Sequence, residues 1–287
     1  MNKYIRFMVI AVLIMTGHND TAFAKFLSDV PDKLVPSDGT TYIQALDGRK
    51  YRLYIPESTK DKKSPLLIVL HGAFGNAEWI EKALNMNPVA DKRRFKVAYL
   101  DGTGRRAFRK KIRNMRFWNA GDCCGAAKRR NIDDVRYIDN VIKKIIKDNN
   151  INEKKVYLMG HSNGAMMSYK FACNKPEVIA ALVAVSGQLM INKCNNSKGV
   201  RILHIHGNND EQVPMRGGKG GLKGYTYKSI EQTKAEVEKS GATMEVRVLS
   251  GTGHKLAEIN KTLKQKGEGG LADVIADFLK YSSPDLI

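Results

Sequence analysis

Short apolar runs recur along the chain, and their spacing separates two kinds of element. Residues 66–70 are continuously apolar with no alternation, the pattern of a strand buried on both faces, as in a parallel sheet covered by helices. The same reading applies to 97–100, 156–159, 179–185 and 202–205, and residues 246–249 predict a last strand. Between them lie helical patterns. Residues 133–147 place Val135, Ile138, Val141, Ile142 and Ile145 on one face with charges opposite. Residues 163–173, 229–239 and 271–279 read the same way.

At the start, 41–45 and 50–55 are strand-like and joined by Leu46-Asp47-Gly48-Arg49. Asp-Gly between two such runs predicts a hairpin, because both turn residues tolerate positive φ. An opening hairpin followed by alternating strands and helices predicts an α/β fold with a mostly parallel, doubly wound sheet. In such sheets functional residues gather at the carboxyl ends of the strands. The 287 residues suffice for one large domain, and no Pro/Ser-rich linker or internal repeat marks a boundary.

The first residues read as an address. Lys3 and Arg6 precede an apolar run at 7–15, and Ala22-Phe23-Ala24 supplies the small-x-small pattern of a cleavage site. The run is about half of the roughly 20 apolar residues a membrane span needs, and no Cys follows it. Residues 1–24 are therefore expected to be a signal peptide, leaving 25–287 as the mature domain, exported to the periplasm or beyond the cell. Cys123, Cys124, Cys173 and Cys194 fit an oxidising compartment. Four cysteines allow three full pairings. The expected places of Cys173 at a helix end and Cys194 in the loop after the next strand favour that pair. Cys123 and Cys124 would then form a vicinal bridge or stay reduced. Adjacent cysteines have the wrong spacing for zinc, and no metal is expected.

The net charge of +19 raises the local concentration of anions and favours acidic surfaces. The basic runs at 105–116 and 128–130 read as loop. Without stacking aromatics or a nucleic-acid motif they read as a solvated basic face, suited to an anionic surface and to no specific nucleic acid.

Gly160-His161-Ser162-Asn163-Gly164 matches the G-x-S-x-G elbow, between an expected strand and an expected helix. A serine hydroxyl needs a base to take its proton and a carboxylate to orient that base. In this type of fold the order is Ser, then Asp or Glu, then His. Asp210 follows the strand at 202–205, and His254 follows the strand at 246–249, so both stand past strand ends. Glu211 could replace Asp210 only along a different loop path. His204 reads as a core residue and His206 as a local hydrogen-bonding one. His161 is expected to point elsewhere on the elbow, and His18 leaves with the signal peptide. An oxyanion hole is also required. Leu70-His71-Gly72-Ala73-Phe74-Gly75 follows an early strand, and the N–H of Ala73 or Phe74 could act there with that of Asn163.

Together these motifs resemble the esterase/polyhydroxybutyrate-depolymerase family, which also contains feruloyl and acetylxylan esterases, over about residues 42–279. Further markers are Phe117-Trp118-Asn119-Ala120-Gly121-Asp122-Cys123-Cys124-Gly125 and Asp133-Asp134-Val135. The resemblance implies a single-domain α/β-hydrolase fold and a secreted, cofactor-free serine carboxylic ester hydrolase working through an acyl-enzyme. Its implied substrates are hydroxyalkanoate oligomers or related esters, with a feruloyl or acetylxylan-type carbohydrate esterase as the alternative. It also implies that Trp118 and Asn119 line or brace the substrate rim, with a purely structural, disulfide-supported loop as the alternative. The sequence departs from the family at His161, where Leu or Phe is usual, and at Gly164-Ala165, where two glycines are usual. It departs again at Lys255-Leu256, where an aromatic residue and a proline commonly follow the base. A basic surface-binding protein that keeps the fold without catalysis is the rival from another class.

Overall fold

Asp47 and Gly48 both take positive φ, 50° and 70°, and turn the chain back between β1 (Thr40–Leu46) and β2 (Arg49–Ile55). Full antiparallel register runs from Thr40 opposite Ile55 to Leu46 opposite Arg49. The computed structural model describes residues 38–104, 114–221 and 224–280. The expected signal peptide and residues 105–113 of the first basic run lie outside the described residues.

Then come β3 (Ser64–Leu70), β4 (Lys96–Leu100) and a small ribbon of β5 (Thr103–Gly104) with β6 (Arg116–Phe117). They are followed by β7 (Ile151–His161), β8 (Ala181–Val185) and β9 (Arg201–Gly207). A second ribbon of β10 (Gly218–Lys219) with β11 (Thr226–Tyr227) precedes β12 (Thr243–Leu249). The main sheet runs β1-β2-β4-β3-β7-β8-β9-β12. Every pair from β4 onward is parallel, and β2 joins β1 and β4 antiparallel.

Alternate residues of the central strands feed two separate cores. Leu66, Ile68 and Leu70 of β3 face one cluster, while Leu67 and Val69 face the other. That double burial is why these strands carry no polar alternation. The first core is closed by α4 (Asp134–Asp148) and α5 (Asn163–Asn174), and α6 (Ile230–Lys239) adds Ile230 and Val237. The second is closed by α1 (Ala77–Leu84), α2 (Asn87–Arg93), α7 (Leu256–Gln265) and α8 (Leu271–Lys280). The remaining helix, α3 (Gly125–Arg129), corrects one expectation. Lys128 and Arg129 lie on this short helix rather than in a loop, and Lys128 Nζ donates to the Asp122 carbonyl at 2.8 Å. Arg116, the end of the other basic run, is tied down in β6, where Nη1 donates to the Gly102 carbonyl at 3.1 Å.

Candidate active site

Three residues stand just beyond the carboxyl ends of parallel strands on one side of the sheet: Ser162 after β7, Asp210 after β9 and His254 after β12. Ser162 is forced into φ 55°, ψ −121°, a conformation that a non-glycine residue adopts only when its surroundings impose it. They do so here. A Cβ on Gly160 would strike the backbone of Gly164, and one on Gly164 would strike the Leu70 carbonyl. The Ser162 N–H is held by the Val185 carbonyl at 2.8 Å, and helix α5 begins at the next residue.

The loops after β9 and β12 are stitched together. Asn209 N–H donates to the Thr252 carbonyl at 3.0 Å, and Gly251 N–H to Asn208 Oδ1 at 2.8 Å. This brings His254 Nδ1 to 2.6 Å from Asp210 Oδ2 and His254 Nε2 to 3.0 Å from Ser162 Oγ. The other carboxylate oxygen, Oδ1, accepts the N–H groups of Gln212 and Val213, each at 2.9 Å. Burial pushes the Asp210 carboxyl up, but the charge and hydrogen bonds of His254 and His206 outweigh it and hold the group well below the usual carboxylate range. Glu211, the alternative acid, is exposed.

His161 does not point away from the site. Its Nε2 lies 3.0 Å from the His254 carbonyl oxygen, and the two rings are 5.1 Å apart. Burial, then the charge of His254, lowers its pKa to about 3. The ring is therefore neutral and donates from Nε2.

Around the expected oxyanion hole the structure separates the candidates. The Phe74 N–H donates to the Arg116 carbonyl at 2.9 Å, so it is already committed and Phe74 is withdrawn as a donor. The N–H groups of Ala73 and Asn163 have no hydrogen-bond acceptor among the described residues. His71 fixes this loop. It accepts the Gly102 N–H at Nε2 (3.0 Å) and donates from Nδ1 to the Gly72 carbonyl (2.7 Å), with burial lowering its pKa to about 3.

Trp118 and Asn119 brace the site from beneath and do not line a rim, since they are only 0% and 5% exposed. Trp118 Nε1 donates to the His71 carbonyl at 3.0 Å, and its backbone exchanges two hydrogen bonds with the Asn163 amide. It thereby joins the segments that carry the N–H groups of Ala73 and Asn163. Asn119 N–H donates to Asp134 Oδ2 at 2.6 Å, and Arg49 Nη1 holds the other oxygen of that buried carboxylate at 2.5 Å. In the sequence Asp134 stood only as a family marker and Arg49 only as a turn residue, because the contact between them spans 85 positions.

Cys173 and Cys194 are bonded to each other, and Cys123 and Cys124 form a vicinal bridge. Among the described residues no cluster of His, Cys, Asp and Glu is arranged to hold a metal, and no helix is long and apolar enough to cross a membrane. A cavity of about 520 Å³ is lined by Arg49, Arg116, Arg130 and Arg136, and none of Ser162, Asp210 and His254 lines it. Three of these arginines are already paired, Arg49 with Asp134, Arg116 with Asp101 and Arg136 with Asp133.

The strand order, the serine at the sharp turn after β7 and the flanking helices define an α/β-hydrolase fold. Residues 55–256 match the phospholipase/carboxylesterase family, and the chain belongs to it. It is 29% identical over 179 residues to the bifunctional acetylxylan esterase/xylanase XynS20E of Neocallimastix patriciarum, covering 62% of this chain and 24% of that protein. It is 31% identical over 165 residues to feruloyl esterase B of Piromyces equi, covering 56% of this chain and 28% of that one. The chain thus spans about a quarter of the length of these two relatives. In fold it is similar to the S-formylglutathione hydrolase of Agrobacterium tumefaciens, with TM-score 0.59 and 11% identity over 90% of this chain and 99% of the other. It is similar also to the acetyl xylan esterase of Aspergillus awamori, with TM-score 0.55 and 14% identity over 80% of this chain and 100% of the other.

Proposed function

We propose that this chain is a serine carboxylic ester hydrolase that works through an acyl-enzyme. The observation that carries the reading is the unbroken contact from Ser162 Oγ through the His254 ring to Asp210, at 3.0 and 2.6 Å. His254 takes the Ser162 proton as Oγ attacks the ester carbonyl. Asp210 keeps the proton of the imidazole on Nδ1 and stabilises the imidazolium that forms. The oxygen of the tetrahedral intermediate is received by the N–H groups of Ala73 and Asn163. His254 then protonates the leaving alcohol, and a water deprotonated by the same ring releases the acid and restores Ser162.

The relatives named for acetylxylan and feruloyl esters support carbohydrate-linked esters as the substrate class. Hydroxyalkanoate oligomers, which the motif resemblance implies, require the same chemistry. Export after cleavage near Ala24 is part of the proposal. It is supported by the charged and apolar pattern of the first residues and by the two cysteine pairs.

Purified protein assayed on methyl ferulate, acetylated xylan and hydroxybutyrate oligomers, beside Ser162→Ala, tests the reading. Turnover of the first two should exceed that of the third, and Ser162→Ala should abolish it. Unchanged hydrolysis by Ser162→Ala would overturn the catalytic role. Salt-sensitive binding to an anionic polymer without hydrolysis would favour a surface-binding protein instead.

A further inference from the structure

The hydrogen-bonded chain does not stop at Asp210. His206 Nε2 lies 3.1 Å from Asp210 Oδ2 and 2.8 Å from the Val213 carbonyl oxygen. His206 Nδ1 is 2.9 Å from His204 Nε2, and His204 Nδ1 is 2.8 Å from the Tyr169 hydroxyl. The two imidazoles are two residues apart on β9 and so project from the same face. Their rings stack with centroids 5.2 Å apart and 9° between planes. All three side chains are fully buried.

Donor counting fixes where the protons sit. Both atoms facing His206 Nε2 are acceptors, a carboxylate and a carbonyl, so that nitrogen carries a proton. The Nδ1 of His206 faces His204 Nε2, and the Tyr169 end of the chain decides which of those two nitrogens carries the proton. His204 donates from Nε2, and its own Nδ1 accepts the Tyr169 O–H. Among the described residues, the reverse order would leave the hydroxyl only the Met244 sulfur, 3.8 Å away, as acceptor. Burial, then the charge of His206, holds the His204 pKa well below the usual value, and burial keeps the Tyr169 hydroxyl protonated.

We propose that Tyr169, His204 and His206 are positioning residues: a one-directional chain of donors that holds the Asp210 carboxylate against His254. The role in turnover rests on the ester-hydrolase reading above. With His206 and His254 on Oδ2 and two backbone N–H groups on Oδ1, the carboxylate cannot rotate. Tyr169 is the lock. Without its hydroxyl, His204 can move its proton to Nδ1, which sets two bare lone pairs against each other between His204 Nε2 and His206 Nδ1. That repulsion would shift the His206 ring and weaken its hold on Asp210. The other titratable groups that bear on this pair are His161, against the base loop, and Tyr227, whose buried hydroxyl feels the Asp210 charge.

Nitrogen-15 NMR of the histidine rings in Ser162→Ala protein, with and without Tyr169→Phe, reads the protons directly and independently of turnover. The expected result is neutral Nε2–H rings at both His204 and His206, with Nδ1–H appearing in Tyr169→Phe. With Ser162 intact, Tyr169→Phe should lower kcat about tenfold at unchanged KM. The acid limb of its pH profile should move upward, because Asp210, held less tightly by His206, concentrates its charge on His254. If Tyr169→Phe does not fold, the comparison passes to His206. There His206→Gln, whose amide can still donate, should keep more kcat than His206→Leu. An imidazolium or an Nδ1–H ring at His206 overturns the proposal, as do rings and a pH profile unmoved by Tyr169→Phe. Equal kcat in His206→Gln and His206→Leu overturns it too. Hydrolysis that survives Ser162→Ala while the rings read as expected would overturn the ester-hydrolase reading alone.

Discussion

His161 Nε2 lies 3.0 Å from the carbonyl oxygen of His254, so the residue before the serine also holds the loop that carries His254. Its other nitrogen, Nδ1, is buried without a hydrogen-bond partner among the described residues. His161→Leu therefore removes one hydrogen bond and one unpaired lone pair together. These losses act in opposite directions on stability, and the melting temperature should stay within about 3 °C of the parent. The loop, however, loses its anchor, and kcat/KM should fall about tenfold. Thermal melts and initial rates on the same preparations check both halves, and a large loss of stability with normal kinetics would contradict the anchoring role.

Asp210 accepts from His254, His206, Gln212 and Val213. Four donors around one group call for an anion. Asp210→Asn would aim an N–H at one of them and favour the wrong tautomer of His254. By analogy with other serine triads, kcat should drop by roughly 10⁴ while the fold persists. Stopped assays with circular dichroism on Asp210→Asn check this, and a drop below about tenfold would show that Asp210 does not orient the base.

The central strands were legible because double burial leaves continuous apolar runs, as at residues 66–70 and 156–159. The meeting of Ser162, Asp210 and His254 was legible for a related reason. Each follows a parallel strand, and parallel register puts such ends side by side. His204 and His206 were read one at a time, as core and as local partner. Their i, i+2 spacing on a strand already placed them on one face. Tyr169 could not be added from sequence, because it reaches them only through the packing of α5 on the sheet. The Trp-Asn segment was recognised by its residues, but whether Trp118 faced substrate or core depended on contacts with His71 and Asn163. Helices α1 and α7 are short pieces without a long periodic stripe, and α3 lay hidden under a basic run.

Acid stability should report the buried neutral histidines. His71 and His161 have pKa values lowered from 6.5 to about 3 in the folded protein, chiefly by burial. Between those values the unfolded chain binds protons that the folded protein refuses. Their contribution is thus fully present above pH 6.5 and lost as the pH falls toward 3. Inside that window each ring makes stability fall by about 1.4 kcal/mol per pH unit. Denaturant midpoints measured from about pH 8 down to about pH 4 should bend downward near the upper limit. His161→Leu should show a shallower slope, and identical slopes in the two proteins would rule out a neutral His161.

The bridge between Cys173 and Cys194 spans 21 residues, joining the last turn of α5 to the loop after β8. Closing a loop of that size restricts the unfolded chain by about 3 kcal/mol. Both cysteines are buried, and Glu236 of α6 also accepts the Cys194 N–H at 2.9 Å. The double variant Cys173→Ser, Cys194→Ser should therefore melt about 6–12 °C lower. Its turnover at room temperature should be unchanged. Ser162 sits at the opposite end of α5, and ten residues of helix separate the two sites by about 15 Å. The vicinal bridge, with a sequence separation of 1, closes no chain loop. Reductant should accordingly lower the melting temperature of the parent to that of the double variant and move the double variant itself little. A further drop in the double variant would show that Cys123 and Cys124 stabilise the Trp118 segment through contacts rather than chain entropy.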